Sequence, residues 1–147
     1  MHYHHLMIKN LDEKATRKFL KEQKLGHLGC VLDSGEPYVI PVNYLFKDDG
    51  IYVHVLPGQK LDAMRANGKI CLQVDKIEDS CRWQSAIAFG EFQEVKKING
   101  KIEILKEFSA SFKHLTPVEA MMEEQWNLGG LVVFHLKIKR VTGMSES

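Results

Sequence analysis

Apolar and polar residues alternate with a period of about two in several stretches of this chain, the mark of half-buried strands. Gly26–Asp33 predicts a first strand, closed by the breaker-rich turn Ser34-Gly35-Glu36-Pro37. The strand-like runs Pro37–Phe46 and Ile51–Val55 flank Lys47-Asp48-Asp49-Gly50, whose Asp-Gly step is a hairpin signal, and Val39–Phe46 and Ile51–Val55 form the hairpin strands. A fourth strand follows at Lys69–Val74 and a long fifth at Arg82–Val95, with Gly90 inside it as a bulge or corner. Leu131–Val141 is the last, placing Val132, Phe134, Leu136 and Ile138 opposite His135, Lys137 and Lys139.

The period lengthens to that of a helix in a few stretches. Asn10–Glu22 puts Leu11, Ala15, Phe19 and Leu20 on one face, with Asn10 as N-cap and Glu13 three residues on. Leu61–Asn67 follows the third strand, and Ile102–His114 follows a break expected at Asn99-Gly100. Thr116 and Pro117 open another short helix, with Glu119 completing a capping box, and Trp126–Gly130 is a glycine-rich turn into the final strand. Six strands with mostly hairpin connections favour an antiparallel barrel flanked by helices, a mainly β fold in one domain over residues 1–147.

Composition narrows the field. The 147 residues are 44% hydrophobic and 27% charged, ordinary for a globular domain with its own core. A net charge of +1 leaves no footprint for nucleic acid. No apolar run is long enough to span a bilayer, and no signal-peptide pattern opens the chain, so the expectation is a cytoplasmic protein without membrane partners. Cys30, Cys71 and Cys81 form no C-x-x-C pair, which argues against a disulfide framework and a thiolate metal site. The tail histidines His2, His4 and His5 lack an adjoining carboxylate or thiol ligand, and no metal is expected.

The chemistry concentrates after the third strand. Gly58, Gln59 and Lys60 stand at a helix start, where backbone N–H groups, the helix dipole and an ammonium can together hold a phosphate. Taken alone, Gly-Gln-Lys is a short and frequent pattern that also describes a plain glycine turn with a solvated lysine. Pro41 removes a ladder donor and points to an edge or open seam. His54 shares a face with Tyr52, opposite Ile51, Val53 and Val55, and is either a structural histidine or a proton donor. Trp83 and Ser85 open the fifth strand in W-Q-S-A-I-A-F-G, with Gly90 and Glu94 behind them.

The order of strand, hairpin, strand and anion-binding helix start, together with W-x-S-x-x-x-x-G, resembles the FMN-binding split barrel of the pyridoxamine 5′-phosphate oxidase superfamily. Within it, the chain most resembles the short nitroimidazole-resistance-type branch. The resemblance implies a six-stranded split β-barrel, FMN as cofactor and a homodimer with FMN at its interface. It implies that Lys60 meets the phosphate beside Gly58 and Gln59, where the oxidases themselves carry arginine in place of Gln59. It assigns the ring and ribityl group to Val39, Ile40, Pro41, Val42, Asn43, Tyr44, Val53 and His54, largely through the backbone. Ser85 or its neighbour Gln84 becomes a hydrogen-bond partner and Trp83 a wall of the pocket, while His54 faces the flavin as the catalytic candidate. The expected activity is FMN-dependent oxidoreduction of a small organic molecule, nitro-group reduction among the options. The alternative is a non-catalytic binder of flavin, deazaflavin or haem that stores or senses. No C-terminal tryptophan and arginine pair matches the substrate residues of the oxidases, which argues against pyridoxamine phosphate as the specific substrate.

Overall fold

The computed structural model describes residues 8–112 and 130–147. Its strands are β1 (Ile8–Asn10), β2 (Leu25–Val31), β3 (Pro37–Asn43), β4 (Leu45–Lys47), β5 (Gly50–Val55), β6 (Lys69–Asp79), β7 (Arg82–Glu94) and β8 (Val132–Glu146). Three helices join them: α1 (Glu13–Glu22), α2 (Gln59–Ala66) and α3 (Ile98–Ser111). All eight strands belong to one antiparallel sheet in the order β3-β2-β6-β7-β8-β5-β4, with β1 added to the far part of β8. The path starts at β3 and ends at β4, and these two strands are separated in sequence only by Tyr44. The sheet therefore curls until its two ends are joined by chain rather than by a ladder, which is a split barrel. Pro41 lies on β3, a terminal strand, as its missing donor requires.

Residues facing the inside form the main core, from Leu28, Ile51, Val53, Leu72, Val74 and Phe134 to Leu136. Two helices close the barrel ends. α1 is capped by Asp12, whose carboxylate accepts from Ala15 N at 2.7 Å, and it sends Phe19 and Leu20 into the core. The buried Tyr44 hydroxyl donates to the carbonyl of Leu20, locking α1 to the crossing between β3 and β4. α2 sends in Leu61 and Met64, and its Arg65 grips Glu94 of β7 through two bonds of 2.9 and 3.2 Å. α3 instead lies on the outside of β5 and the start of β8, where Ile104, Leu105 and Phe108 pack on Leu131 and Val133 as a second cluster. Lys47 pins this helix to the hairpin tip by ion pairs with Glu103 and Glu107 at 3.0 and 2.9 Å.

Several sequence expectations shift. The helix cap falls on Asp12 rather than Asn10, because the Asn10 backbone is taken by the β1–β8 ladder opposite Met144. The strand expected over Pro37–Phe46 divides at Tyr44, so six strands become eight once β1 and this division are counted. The hairpin turn is centred on Asp48 and Asp49, with φ of 53° and 54°, not on Asp49-Gly50. Gly50 serves a close approach instead, since a Cβ there would overlap the ring of His135. Asn99-Gly100 does not break the chain but lies in the first turn of α3. Gly90 keeps its expected role: the β7–β8 register slips between Phe89 and Gly90, and a Cβ at 90 would overlap the Lys137 carbonyl. The tail histidines, the Thr116–Pro117 helix start and residues 126–129 lie outside the described residues.

Candidate functional site

Alternation along each strand sorts the site residues onto opposite faces. On β2, Leu28 and Cys30 point inward while Leu25, His27, Gly29 and Val31 point outward. The register carries that outward set across the sheet. One row runs Val39–Gly29–Cys71–Phe89–Arg140, and the next runs Pro41–His27–Gln73–Ile87–Thr142. Leu25 (58% exposed), Val39 (65%), Ile77 (67%) and Met144 (43%) stand open on this face, and no helical residue among those described lines the groove that runs over it. A single exposed leucine is ordinary, but several exposed apolar residues on one face make it a candidate binding surface.

The first row floors a groove of about 560 Å³ lined by Gly29, Tyr38, Val39, Cys71, Phe89 and Arg140 among others. Gly29 keeps the floor low, because a Cβ there would stand 2.8 Å from Cys71 Sγ. Arg140 lies over the Phe89 ring, 3.8 Å from its centroid. The one-residue slip at Gly90 matters here, since it brings Lys139 and Arg140 to the groove rim. Burial raises the thiols of Cys71, which meets the groove, and of Cys30, which points into the core, so both stay protonated and poorly nucleophilic.

Beside the groove runs a hydrogen-bonded strip. His27 Nδ1 lies 3.0 Å from Gln73 Oε1, and Gln73 Nε2 donates to Asp75 Oδ2 at 2.9 Å and to Ser85 Oγ at 3.1 Å.

At one end of the barrel, α2 begins directly after Gly58, whose backbone is extended and which supplies no side-chain cap. The amide groups of the first turn are thus not satisfied by a capping side chain. The charge of Lys60 partly offsets the burial that raises the Cys30 thiol, and α2 lies against β2. Glu94, held below the ordinary carboxylate range chiefly by its bond from Arg65, fixes the far turn of the same helix.

The residues expected from sequence therefore fall into four places. Val39, Pro41, Asn43, Trp83 and Ser85 share the open outer face. Gly58, Gln59 and Lys60 stand at the start of α2. Ile40, Val42, Tyr44 and Val53 turn their side chains into the core, so only their main chain is available to a ligand. His54 projects from the outside of β5 and meets Phe108 of α3 edge-on at 4.7 Å, with Tyr52 stacked on His135 nearby. Trp83 donates its indole N–H to Glu146 at 2.8 Å. Gln84 takes the opposite face of β7 from Ser85. The strip of His27, Gln73 and Asp75 was not anticipated. Gln73 is legible as an outward residue of its strand, but its partners lie on other strands and follow only from register.

No cluster of metal-ligating side chains occurs among the described residues, and no helix among them is long and apolar enough to cross a membrane.

The sequence of residues 12–145 matches the pyridoxamine 5′-phosphate oxidase family. An uncharacterized protein of Rhizobium meliloti (strain 1021) is 34% identical over 95 residues, which are 65% of this chain and 62% of that protein. The match thus spans less than two thirds of that relative's length. Among solved structures, a FAD-binding protein from Mesorhizobium loti superposes with a TM-score of 0.73 at 26% identity, covering 96% of this chain and 99% of that one. A protein from Bacteroides thetaiotaomicron provisionally assigned to 5-nitroimidazole antibiotic resistance gives 0.72 at 18% identity, over 94% of this chain and 88% of its own.

Proposed function

The chain belongs to the pyridoxamine 5′-phosphate oxidase family, and from that membership we propose that it binds FMN and uses it in oxidoreduction of a small organic molecule. The observation that carries this reading is the start of α2: a first turn with no side-chain cap and an ammonium at its second residue. A phosphate fits such a helix start, because the N–H groups and the dipole favour an anion and Lys60 adds a full positive charge. The Arg65–Glu94 pair keeps the helix end aimed.

In this reading the ring lies along the outward residues of β3, Val39, Pro41 and Asn43, with the main chain of residues 39–44 and 53–54 and with Ser85 and Trp83 as further contacts. Bound flavin supplies the electron chemistry; the chain supplies orientation, exclusion of water and proton delivery. His54, on the strand that leads into α2, is the proton-delivery candidate from sequence, but its ring packs against Phe108 of α3 rather than on the β3 face. A second copy of the chain covers the open outer face and completes the site, removing the exposed Leu25, Val39, Ile77 and Met144 from water. Nitro-group reduction is the reaction to assay first, since the sequence resembles the nitroimidazole-resistance branch.

Purified protein titrated with FMN tests the proposal by its visible spectrum. The expected outcome is a yellow protein that sediments as a dimer and whose flavin is reduced by a nicotinamide donor and reoxidised by a nitroaromatic. A colourless protein that takes up no FMN refutes it. A Soret band in the purified protein makes it a haem binder, and bound FMN that no donor reduces leaves only a carrier.

A further inference from the structure

We propose that His27 is held in one tautomer by its neighbours and presents an unprotonated Nε2 that accepts a hydrogen bond from the imide N–H of the flavin ring. The proposal rests on the flavin reading above and assigns a residue that neither the sequence motifs nor the family signature single out.

The argument begins at Asp75. At neutral pH its carboxylate only accepts hydrogen bonds, so the group of Gln73 that meets it at 2.9 Å is the amide NH2. The second hydrogen of that NH2 is directed to Ser85 Oγ at 3.1 Å. Both donors of Gln73 are then used, and the orientation of its amide is decided by chemistry. The oxygen must be the atom facing His27, and an amide oxygen only accepts. Nδ1 of His27, 3.0 Å away, therefore carries the hydrogen. In a neutral imidazole only one nitrogen is protonated, so Nε2 is left with a lone pair.

Position turns this tautomer into a recognition element. His27 is exposed, pairs with Pro41 of β3, and shares the open face with Ser85 and with the groove formed by the adjacent row. Val39, Pro41 and Asn43, the outward residues of β3 to which the ring is assigned, lie across the ladder from Gly29, His27 and Leu25. Oxidised isoalloxazine carries several acceptors on its polar edge but one ring N–H, the imide. An acceptor with a locked tautomer is complementary to that single donor. Among the other described histidines, His54 packs against Phe108 and His135 stacks on Tyr52 beneath α3, both away from this face.

The test compares FMN with 3-methyl-FMN, which keeps the phosphate and the ring and lacks the imide hydrogen. The variants are His27→Phe and Gln73→Leu, whose folding is checked by thermal melting. Wild type is expected to bind FMN roughly tenfold more tightly than the methylated analogue, the worth of about one hydrogen bond. His27→Phe should bind the two equally, and Gln73→Leu should lose part of the preference because the tautomer is released. Because both ligands carry the same phosphate, the contribution of Lys60 cancels. Nitrogen-15 NMR of the ligand-free protein at about pH 8 should show Nε2 of His27 unprotonated. Equal binding of the two ligands by wild type, or a protonated Nε2 in the neutral ring, overturns the proposal and leaves the flavin reading standing. A wild type that binds neither ligand removes both.

Discussion

Replacing Gly90 by alanine should be strongly destabilising for the addition of a single methyl group. An ideal Cβ at 90 overlaps the carbonyl oxygen of Lys137 and comes within 2.6 Å of Leu136 Cδ2 and 2.8 Å of the Lys137 carbonyl carbon. The Leu136 side chain is 1% exposed, so it has little room to turn away, and the carbonyl belongs to a strand ladder with no rotamer to change. Relief must come from moving β8 away from β7 at the point where the register already slips. Overpacking of this kind costs about 1–3 kcal/mol, and the involvement of backbone puts this case near 3. For a domain of this size that corresponds to a fall in Tm of roughly 10 °C. Gly100→Ala is the built-in control. Its Cβ meets only Val95 Cγ1 at 3.2 Å, a side-chain end that can give, and alanine recovers helix propensity of about 0.5–1 kcal/mol in α3. Urea unfolding of both variants reads the two effects side by side, with Gly100→Ala near wild type or slightly above it. A loss below about 1 kcal/mol for Gly90→Ala would refute the reasoning, because it would mean that β8 yields freely and that the missing Cβ does not hold the slip. The same variant should disturb the groove, since the slip sets Arg140 over Phe89.

Lys60→Ala should keep the fold and weaken FMN retention by roughly tenfold or more, the loss of one charged hydrogen bond while the amide groups of α2 remain; unchanged retention on dialysis would put the phosphate elsewhere. Tyr44→Phe leaves the buried carbonyl of Leu20 without its donor and should cost about 1–3 kcal/mol by urea unfolding. His135 gives an acid-side signature. Burial lowers its pKa from 6.5, with Lys137 acting in the same direction and Asp48 against it, and its Nε2 has no hydrogen-bond partner among the described residues. Well above pH 6.5 neither the folded nor the unfolded chain holds this proton, so stability is unaffected by it. As pH falls below 6.5 the unfolded chain binds the proton first, and stability declines until the folded pKa is passed. His135→Leu should flatten that part of the curve of urea midpoint against pH, and an unaltered slope would assign the acid sensitivity to another group.

Much of this protein was legible from its residues in order. The alternation of Ile51, Val53 and Val55 against Tyr52 and His54 marked both a strand and the face it would bury, because a period of two is imposed by backbone geometry. Pro41 announced a terminal strand, since a residue without an N–H cannot serve inside a ladder, and Gly90 announced a slip. Gly58 and Lys60 marked the helix start because the relevant amide groups are local to it. Local signals erred where two of them competed: Asn10 and Asp12 are both good caps, and only the pairing of Asn10 with Met144 decides between them. The Asp49-Gly50 step suggests a turn role for Gly50, whereas the ring of His135, far along the chain, is what demands the absence of a side chain. Tertiary structure alone decided which outward residues meet. His27, Gln73 and Ser85 lie on three strands, and a register shift of one residue would send each to the other face. The groove, the strip beside it and the packing of His54 against α3 depend on that register and on where a helix docks, quantities that no window of sequence contains.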